Sequence, residues 1–377
     1  MTKKIIIIVM IALAIVFIVE YVSNQNNQAK TQKVDQPRLH TPSAQTGDPK
    51  KDIEILSQQL DIPWEIVFLP NGDYLITQRP GTLLLLNKNG TKTQQIQGVT
   101  PTGEGGLLGL TLHPEFSANR KIYLYMTYNQ NNELANKVEQ YTLNDAVLSE
   151  RKVIIDGIRG SAIHDGGRIA FGPDKMLYVT TGDAGQTKLA QDTNSLNGKI
   201  LRITDEGNVP ADNPFNNEIY SYGHRNAQGI TWDEEGNLWA TEHGPSGLQT
   251  GYDELNKITK GGNYGWPDVR GDEKKDGTIA PIIHSGSSET WAPSGAVYYK
   301  NNIYFTGLRG ETIYKAELQA NSTVTITTHF PKEFGRIRTI TLGPDNNFYI
   351  LTNNTDGRGI PKENDDKLIR INPELLQ

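Results

Sequence analysis

Four Gly-rich loops hold the polar residues best suited to chemistry. They are TGEGGLLGLTLHPEF from Thr102; HDGGRIAFGPD from His164, leading to GDAG at Gly182; YGHRNAQGI from Tyr222, with TEHGP at Thr241 and DELN at Asp253; and FGRIRTITLGPD from Phe334. His164 lies in a Gly-flanked turn just ahead of an apolar strand. An imidazole titrates near neutral pH, so this one suits proton transfer if the turn directs it into a cavity. Asp183, in GDAG, reads on its own as a turn-capping carboxylate. Asp253 and Glu254, adjacent in DELN, read on their own as solvated acids. Arg336 and Arg338 are two apart in a strand-like run, which puts both guanidinium groups on one face. The chain has no Cys, so thiolate nucleophiles, zinc–thiolate sites, iron–sulfur clusters and disulfides are excluded.

The elements that must position these loops come from a repeat. Six segments share a turn rich in Pro, Asp, Asn or Gly followed by a strand: LPNGDYLITQ, SANRKIYLYMTY, GPDKMLYVTTG, DEEGNLWATE, YKNNIYFTG and GPDNNFYILTN. Each is followed by a second β-rich run: TLLLLN, KVEQYTL, KILRIT, ELNKIT, TIYKAEL and KLIRIN. Apolar residues alternate with period two, as half-buried strands require. The repeats are spaced by about 46 to 65 residues, enough for a four-stranded blade with variable loops. Six copies predict an all-β, six-bladed β-propeller over residues 53–377, with Ile53–Gln58 pairing with the last blade to close the ring. Functional loops of such a ring converge at the channel mouth.

Ahead of the repeats, Lys3 and Lys4 precede an uncharged run from Ile5 to Val19. Residues 1–22 therefore read as an N-terminal signal anchor or signal peptide, placing the rest outside the cytoplasm with membrane contact through this segment only. Residues 23–52 have almost no aliphatic side chains and read as a flexible polar linker. The 377-residue chain carries 37 Lys and Arg against 43 Asp and Glu, a net charge of −6. A general nucleic-acid binder would be basic, so that partner is excluded. The 37 glycines fit a turn-rich domain with several close-approach loops.

Across residues 55–373 the motifs PWEIVFLPNGDYLITQRPG, GEGGLLG, HDGGRIAFGPD, GKILRIT, GHRNAQG, EHGP, DELN, NYGWP, WAPSG and GRIR occur in one collinear order. In this the chain resembles the soluble quinoprotein glucose/sorbosone dehydrogenase family, which includes the aldose sugar dehydrogenases. The resemblance implies a six-bladed propeller holding pyrroloquinoline quinone (PQQ) and Ca2+ at the channel mouth. It implies that an aldose sugar is oxidised at the anomeric carbon to a lactone, with electrons leaving to an unidentified external acceptor. It assigns His164 as the base, Asp183 as its supporting carboxylate, and Arg225 and Asn226 to the cofactor. Arg336 and Arg338 match its carboxylate-binding pair, Arg309 falls where the family uses Lys, and Thr290 precedes WAPSG near the cofactor. The carbonyls of Gly244 and Pro245 match one calcium site; Glu254 and the Tyr264 carbonyl match a second. Trp266 and Trp291 are candidates for the cleft wall or for blade packing.

Two features depart from the family pattern. Glu104 stands where a Gln commonly touches the cofactor, and an anion there should repel PQQ carboxylates unless it is protonated or bound to calcium. The loop SGLQTGYDELN is longer than the usual link between EHGP and DELN. The scaffold also suits a non-catalytic sugar- or protein-binding propeller, or a metal-dependent lactonase. The last needs a carboxylate-ringed metal, whereas these loops are richer in Arg and His.

Overall fold

The computed structural model describes residues 52–145, 147–245, 250–319 and 323–377. The anchor at 1–22 and all but Asp52 of the linker at 23–52 lie outside them. The described chain forms six four-stranded antiparallel sheets. Blade 1 comprises β2 (Pro63–Phe68), β3 (Tyr74–Gln78), β4 (Thr82–Asn87) and β5 (Gly90–Gln95). Blade 2 comprises β6 (Leu107–Leu112), β7 (Lys121–Gln130), β8 (Glu133–Asn144) and β9 (Val147–Arg159). Blade 3 comprises β10 (Ile169–Phe171), β11 (Leu177–Thr181), β12 (Lys199–Ile203) and β13 (Ile219–Tyr222). Blade 4 comprises β14 (Ala227–Trp232), β15 (Leu238–Glu242), β16 (Glu254–Ile258) and β17 (Ile283–His284). Blade 5 comprises β18 (Pro293–Tyr299), β19 (Asn302–Gly307), β20 (Ile313–Leu318) and β21 (Val324–His329).

Blade 6 holds β22 (Ile337–Leu342), β23 (Phe348–Thr352) and β24 (Leu368–Ile371), and takes its outer strand from β1 (Ile53–Ser57). β1 runs antiparallel to β24, with Ile53 opposite Ile371 and Ile55 opposite Ile369. The ring is thus closed by the pairing predicted from sequence.

The repeat segments are the second strands of the blades, and the turns before them work as their residue types require. Asp174 Oδ1 accepts from the Met176 amide, and Asp233 Oδ1 from the Asn237 amide. Their second oxygens take the Tyr178 hydroxyl at 3.0 Å and the Trp239 indole N–H at 2.8 Å. Asp345 repeats the device with Tyr349 at 3.1 Å. One Asp thus closes a turn and anchors an aromatic on the next strand.

The core is divided rather than central. Six apolar clusters occupy the six interfaces between neighbouring blades. Leu75, Leu107 and Leu124 pack between blades 1 and 2, and Ile66, Ile76 and Leu351 between blades 6 and 1. Middle strands such as β11, β15 and β23 are therefore buried along their whole length. Outer strands such as β21 alternate with solvent. The four chemistry-bearing loops lead into the innermost strands β6, β10, β14 and β22, so every one of them ends at the ring's axis.

Candidate active site

A cavity of about 650 Å³ opens where these loops meet. Glu104, His164, Arg225, Gly244, Pro245, Thr290, Arg309 and Arg336, all singled out from sequence, line it together with Ile163, His243, Thr250, Asp253, Ala292, Leu308 and Arg358. Asn226 and Arg338 lie buried beneath the wall. Glu254 and Tyr264 line a separate, much smaller cavity that shares Arg225, His243, Gly244 and Pro245 with the first.

His164 is held on three sides. Its Nδ1 lies 2.7 Å from Asp183 Oδ1, its amide donates to Glu104 Oε2 at 2.8 Å, and its carbonyl accepts from the Ala184 amide at 3.3 Å. With Nδ1 donating to Asp183, Nε2 is the proton-free nitrogen. The carbonyl packs onto Gly182, where an added Cβ would lie only 1.9 Å from the His164 oxygen. Gly is the residue that permits this approach.

Asp183 is fully buried. Besides His164 it accepts the Gly185 amide at 2.7 Å on Oδ1 and the Trp266 indole N–H at 2.8 Å on Oδ2. Burial pushes its carboxyl up, but these bonds outweigh burial and hold it below the ordinary value. Trp266 therefore orients the carboxylate, and its ring lies 5.4 Å from the Arg225 guanidinium carbon. Trp291 instead packs against Phe305 and Tyr314 between blades.

Arg225 is placed by its backbone. Its amide donates to Glu242 Oε1 and its carbonyl accepts from the Asp183 amide at 2.9 Å. Glu242 Oε2 in turn bonds His224 Nδ1 at 2.8 Å, and His224 Nε2 meets Ser221 Oγ at 2.9 Å. This Ser–His–Glu chain has the order of a hydrolytic triad, but Ser221 and His224 are completely buried. No substrate reaches it, and it serves as a rigid support for Arg225. Burial lowers the Arg225 guanidinium pKa; Asp183, Glu104, Glu242 and Asp253 oppose that shift.

The structure overturns the solvated reading of Asp253, which is 2% exposed. It accepts the Gly244 amide at 2.8 Å on Oδ1 and the Trp291 and Ala292 amides at 2.6 and 3.0 Å on Oδ2. It thereby ties EHGP to WAPSG. Glu254 faces Glu242; burial, with Glu242 adding to it, pushes its carboxyl up to about 8. Of the long loop, residues 246–249 lie outside the described residues, while Thr250 Oγ1 meets Thr290 Oγ1 at 2.7 Å on the cavity wall.

The cavity fits an anion. Four arginines line it against two acids, in a protein whose net charge is negative. Arg336 pairs with Asp356 at 2.7 Å. Arg338 hydrogen-bonds Gln228 Oε1 at 2.6 Å and Asn353 Oδ1 at 3.2 Å, with no carboxylate in direct contact; burial lowers it to about 9. Among the described residues, Asn226 Nδ2 and His243 Nε2 are buried without a hydrogen-bond partner, an arrangement that asks for a polar ligand. His243 is kept neutral, lowered to about 3 by burial, with Arg225 and Arg338 adding to the effect and Glu104 opposing it. Among the described residues no three His, Asp or Glu side chains converge on one point, so a carboxylate-ringed metal has no donor set there.

Sequence reasoning missed Arg358, Asp356 and His243. Arg358 and Asp356 lie on the long Gly-rich segment between β23 and β24, which interrupts the repeat and so carried a usable signal.

The glucose/sorbosone dehydrogenase family profile matches residues 60–369. A putative oxidoreductase (glucose dehydrogenase) of Thermus thermophilus superposes with a TM-score of 0.80 at 40% identity, covering 84% of this chain and 98% of its own. The PQQ-bound aldose sugar dehydrogenase of Streptomyces coelicolor gives 0.77 at 36%, covering 86% and 99%. An aldose sugar dehydrogenase of Escherichia coli K12 is 31% identical over 81% of this chain and 91% of its own. A single match spanning blades 1 to 6, joined to the ring and cavity described above, establishes that this chain belongs to the glucose/sorbosone dehydrogenase family.

Proposed function

We propose that the protein is a PQQ- and Ca2+-dependent aldose dehydrogenase that oxidises the anomeric carbon of sugars to lactones and passes electrons to an external acceptor. The observation that carries this reading is the His164–Asp183 pair at the wall of an arginine-rich cavity. Oxidation of a hemiacetal requires removal of the hydroxyl proton together with hydride, and PQQ when bound supplies the hydride acceptor. His164 Nε2 takes the proton, and the imidazolium that forms is stabilised by Asp183 across 2.7 Å. Trp266 and Gly185 keep Asp183 ionised and oriented for this. Arg225, itself buried, presents fixed positive charge that acts on developing negative charge more strongly than it would in water.

Arg336, Arg338 and Asn226 would hold cofactor carboxylates and carbonyls. The carbonyls of Gly244 and Pro245 would hold Ca2+, an oxygen-seeking ion; among the described residues neither carbonyl has another hydrogen-bond partner. Glu254, which lies opposite Glu242 on the neighbouring strand, would with the Tyr264 carbonyl hold a second Ca2+, an ion that takes carboxylate and carbonyl oxygens. We place the protein outside the cytoplasm, with residues 1–22 as its anchor or export signal.

The test is reconstitution of the apoprotein with PQQ and Ca2+, followed by dye reduction against a panel of aldoses. Turnover that disappears in His164→Ala while PQQ stays bound supports the assignment. Absence of both PQQ binding and turnover with every aldose refutes it.

A further inference from the structure

The wall of the proposed anion-binding cavity contains an acid, Glu104, whose side chain is only 16% exposed. A carboxylate in that position should oppose an anionic cofactor. Neither protonation nor a bound cation is needed to remove the conflict. Glu104 Oε1 pairs with Arg358 Nη1 at 2.6 Å, across 254 residues of sequence. Burial alone would raise the Glu104 carboxyl, but the His164 amide and the Arg358 guanidinium outweigh it and bring it down to about 2.

Arg358 is itself braced. Its amide donates to Asp356 Oδ1 at 2.8 Å, and Asp356 Oδ2 binds Arg336 Nη2 at 2.7 Å. The guanidinium thus comes from a segment tied to Arg336, which also lines the cavity. At the other end of the pair, the second oxygen of Glu104 accepts the His164 amide at 2.8 Å, and the Glu104 amide donates to the Ala162 carbonyl at 3.0 Å. Both ends of Glu104 grip the turn that delivers the base. His164 needs such a grip, because its φ of +59° lies in the left-handed region that non-glycine residues occupy only when their surroundings hold them there. An ionised oxygen grips an amide more strongly than the neutral oxygen of a Gln. The charge that gives this strength is tolerable beside an anion only because Arg358 cancels it.

We propose that Glu104 and Arg358 form a charge-neutralised clamp: Glu104 positions the His164 peptide, and Arg358 cancels the repulsion that Glu104 would otherwise exert on an anionic cofactor. Both are positioning residues, since neither bonds the His164 ring. The inference rests on the dehydrogenase reading in its cofactor and kinetic arms, and not in its apoprotein-stability arm.

The test compares Arg358→Ala, Glu104→Gln, Glu104→Ala and the double variant Glu104→Gln/Arg358→Ala. Three quantities are read: apoprotein Tm at pH 7, PQQ affinity from quenching of tryptophan fluorescence, and kcat and KM with an aldose. Arg358→Ala should lower the apoprotein Tm and weaken PQQ binding by about tenfold or more, because it strands a mostly buried anion. The double variant should restore both, to within about threefold in affinity. Glu104→Ala should keep PQQ bound but lower kcat by about tenfold, with KM changed by less than about threefold. Wild-type Tm and affinity in Arg358→Ala overturn the proposal. So does a double variant as weak as Arg358→Ala, which would make Arg358 a direct cofactor ligand, and so does wild-type kcat in Glu104→Ala. If the wild-type protein binds no PQQ, the dehydrogenase reading fails, while loss and recovery of apoprotein Tm still decide whether the clamp exists.

Discussion

Replacing Asp183 by Asn should separate catalysis from binding. The wild-type carboxylate receives three donors: His164 Nδ1 and the Gly185 amide on Oδ1, and the Trp266 indole on Oδ2. An Asn has one oxygen. If that oxygen stays toward His164, the new NH2 faces the Trp266 N–H, donor against donor. If the amide turns, NH2 faces the Gly185 N–H and forces His164 to accept at Nδ1, which puts the proton on Nε2 where the base must be bare. Either way one buried donor is stranded, at about 1–3 kcal/mol, and a charge-assisted bond of about 1.5–3 kcal/mol is lost. Stability should fall by about 2.5–6 kcal/mol. Loss of the carboxylate beside the imidazolium should lower kcat by about 10²- to 10³-fold, the equivalent of about 3–4 kcal/mol. PQQ affinity and KM should stay within about threefold, because Asp183 is completely buried and does not line the cavity. Urea unfolding, PQQ titration and steady-state dye reduction read the three quantities. A folded variant with kcat within about fivefold of wild type would refute the role assigned to Asp183.

Other perturbations follow from the same geometry. Gly182→Ala should push the His164 carbonyl, costing about 1–3 kcal/mol in stability and at least about tenfold in kcat; unchanged kinetics would show that the turn yields freely. Lys199 is completely buried and donates to the carbonyls of Leu189, Ala190 and Asn197 at 2.6 to 3.0 Å. Lys199→Met should lower stability by about 2–4 kcal/mol through the stranded carbonyls, and an unaltered Tm would contradict it. Asp165 is pushed up to about 7 by burial, with Glu104 adding to this and bonds from Asn136 and Ser161 opposing it. Its folded state therefore holds a proton that the unfolded chain releases near pH 4. That contribution to stability is fully present below about pH 4 and is lost as pH rises through about 7. Asp165→Asn, which cannot ionise, should gain on wild type in Tm between pH 5 and pH 8; a difference that does not vary with pH would refute this.

The ring was legible because its second and third strands are short runs of aliphatic, aromatic and β-branched residues set between Asp- or Asn-based turns, although the structure buries these strands throughout and not on one face only. The innermost strands were less so. β10 has only three residues, Ile169–Phe171, and β14 begins with Ala, Gln and Gly, since positions near the axis serve the loops as much as the core. The outer strands were hidden for the opposite reason: β17 spans two residues and β5 is largely polar, being defined by a neighbour's edge rather than by burial. In the site, His164 stood out from its Gly-flanked turn, while Asp183 and Arg225 were marked by the family resemblance of the motifs that carry them. Arg358 and Asp253 did not, because their partners are set by ring geometry. Arg358 meets Glu104 only after the chain has completed four blades and two strands of blade 6, and Asp253 gains its meaning from two amides on the next blade.

The order in which the chain is made gives the closure strand a further significance. β1 is synthesised before every complete blade, yet its partner β24 is the last strand to appear. A growing chain can build the blade that carries His164 long before Arg336 and Arg358 exist. Until then it has an open ring, with the apolar faces destined for the two interfaces of blade 6 uncovered and half of its anion-binding wall missing. On the proposed function, a chain lacking its final blade would carry His164 but only two of the four arginines that line the cavity. Late, long-range pairing of this kind also makes closure a slow step, during which the unpaired edge and exposed faces are open to aggregation.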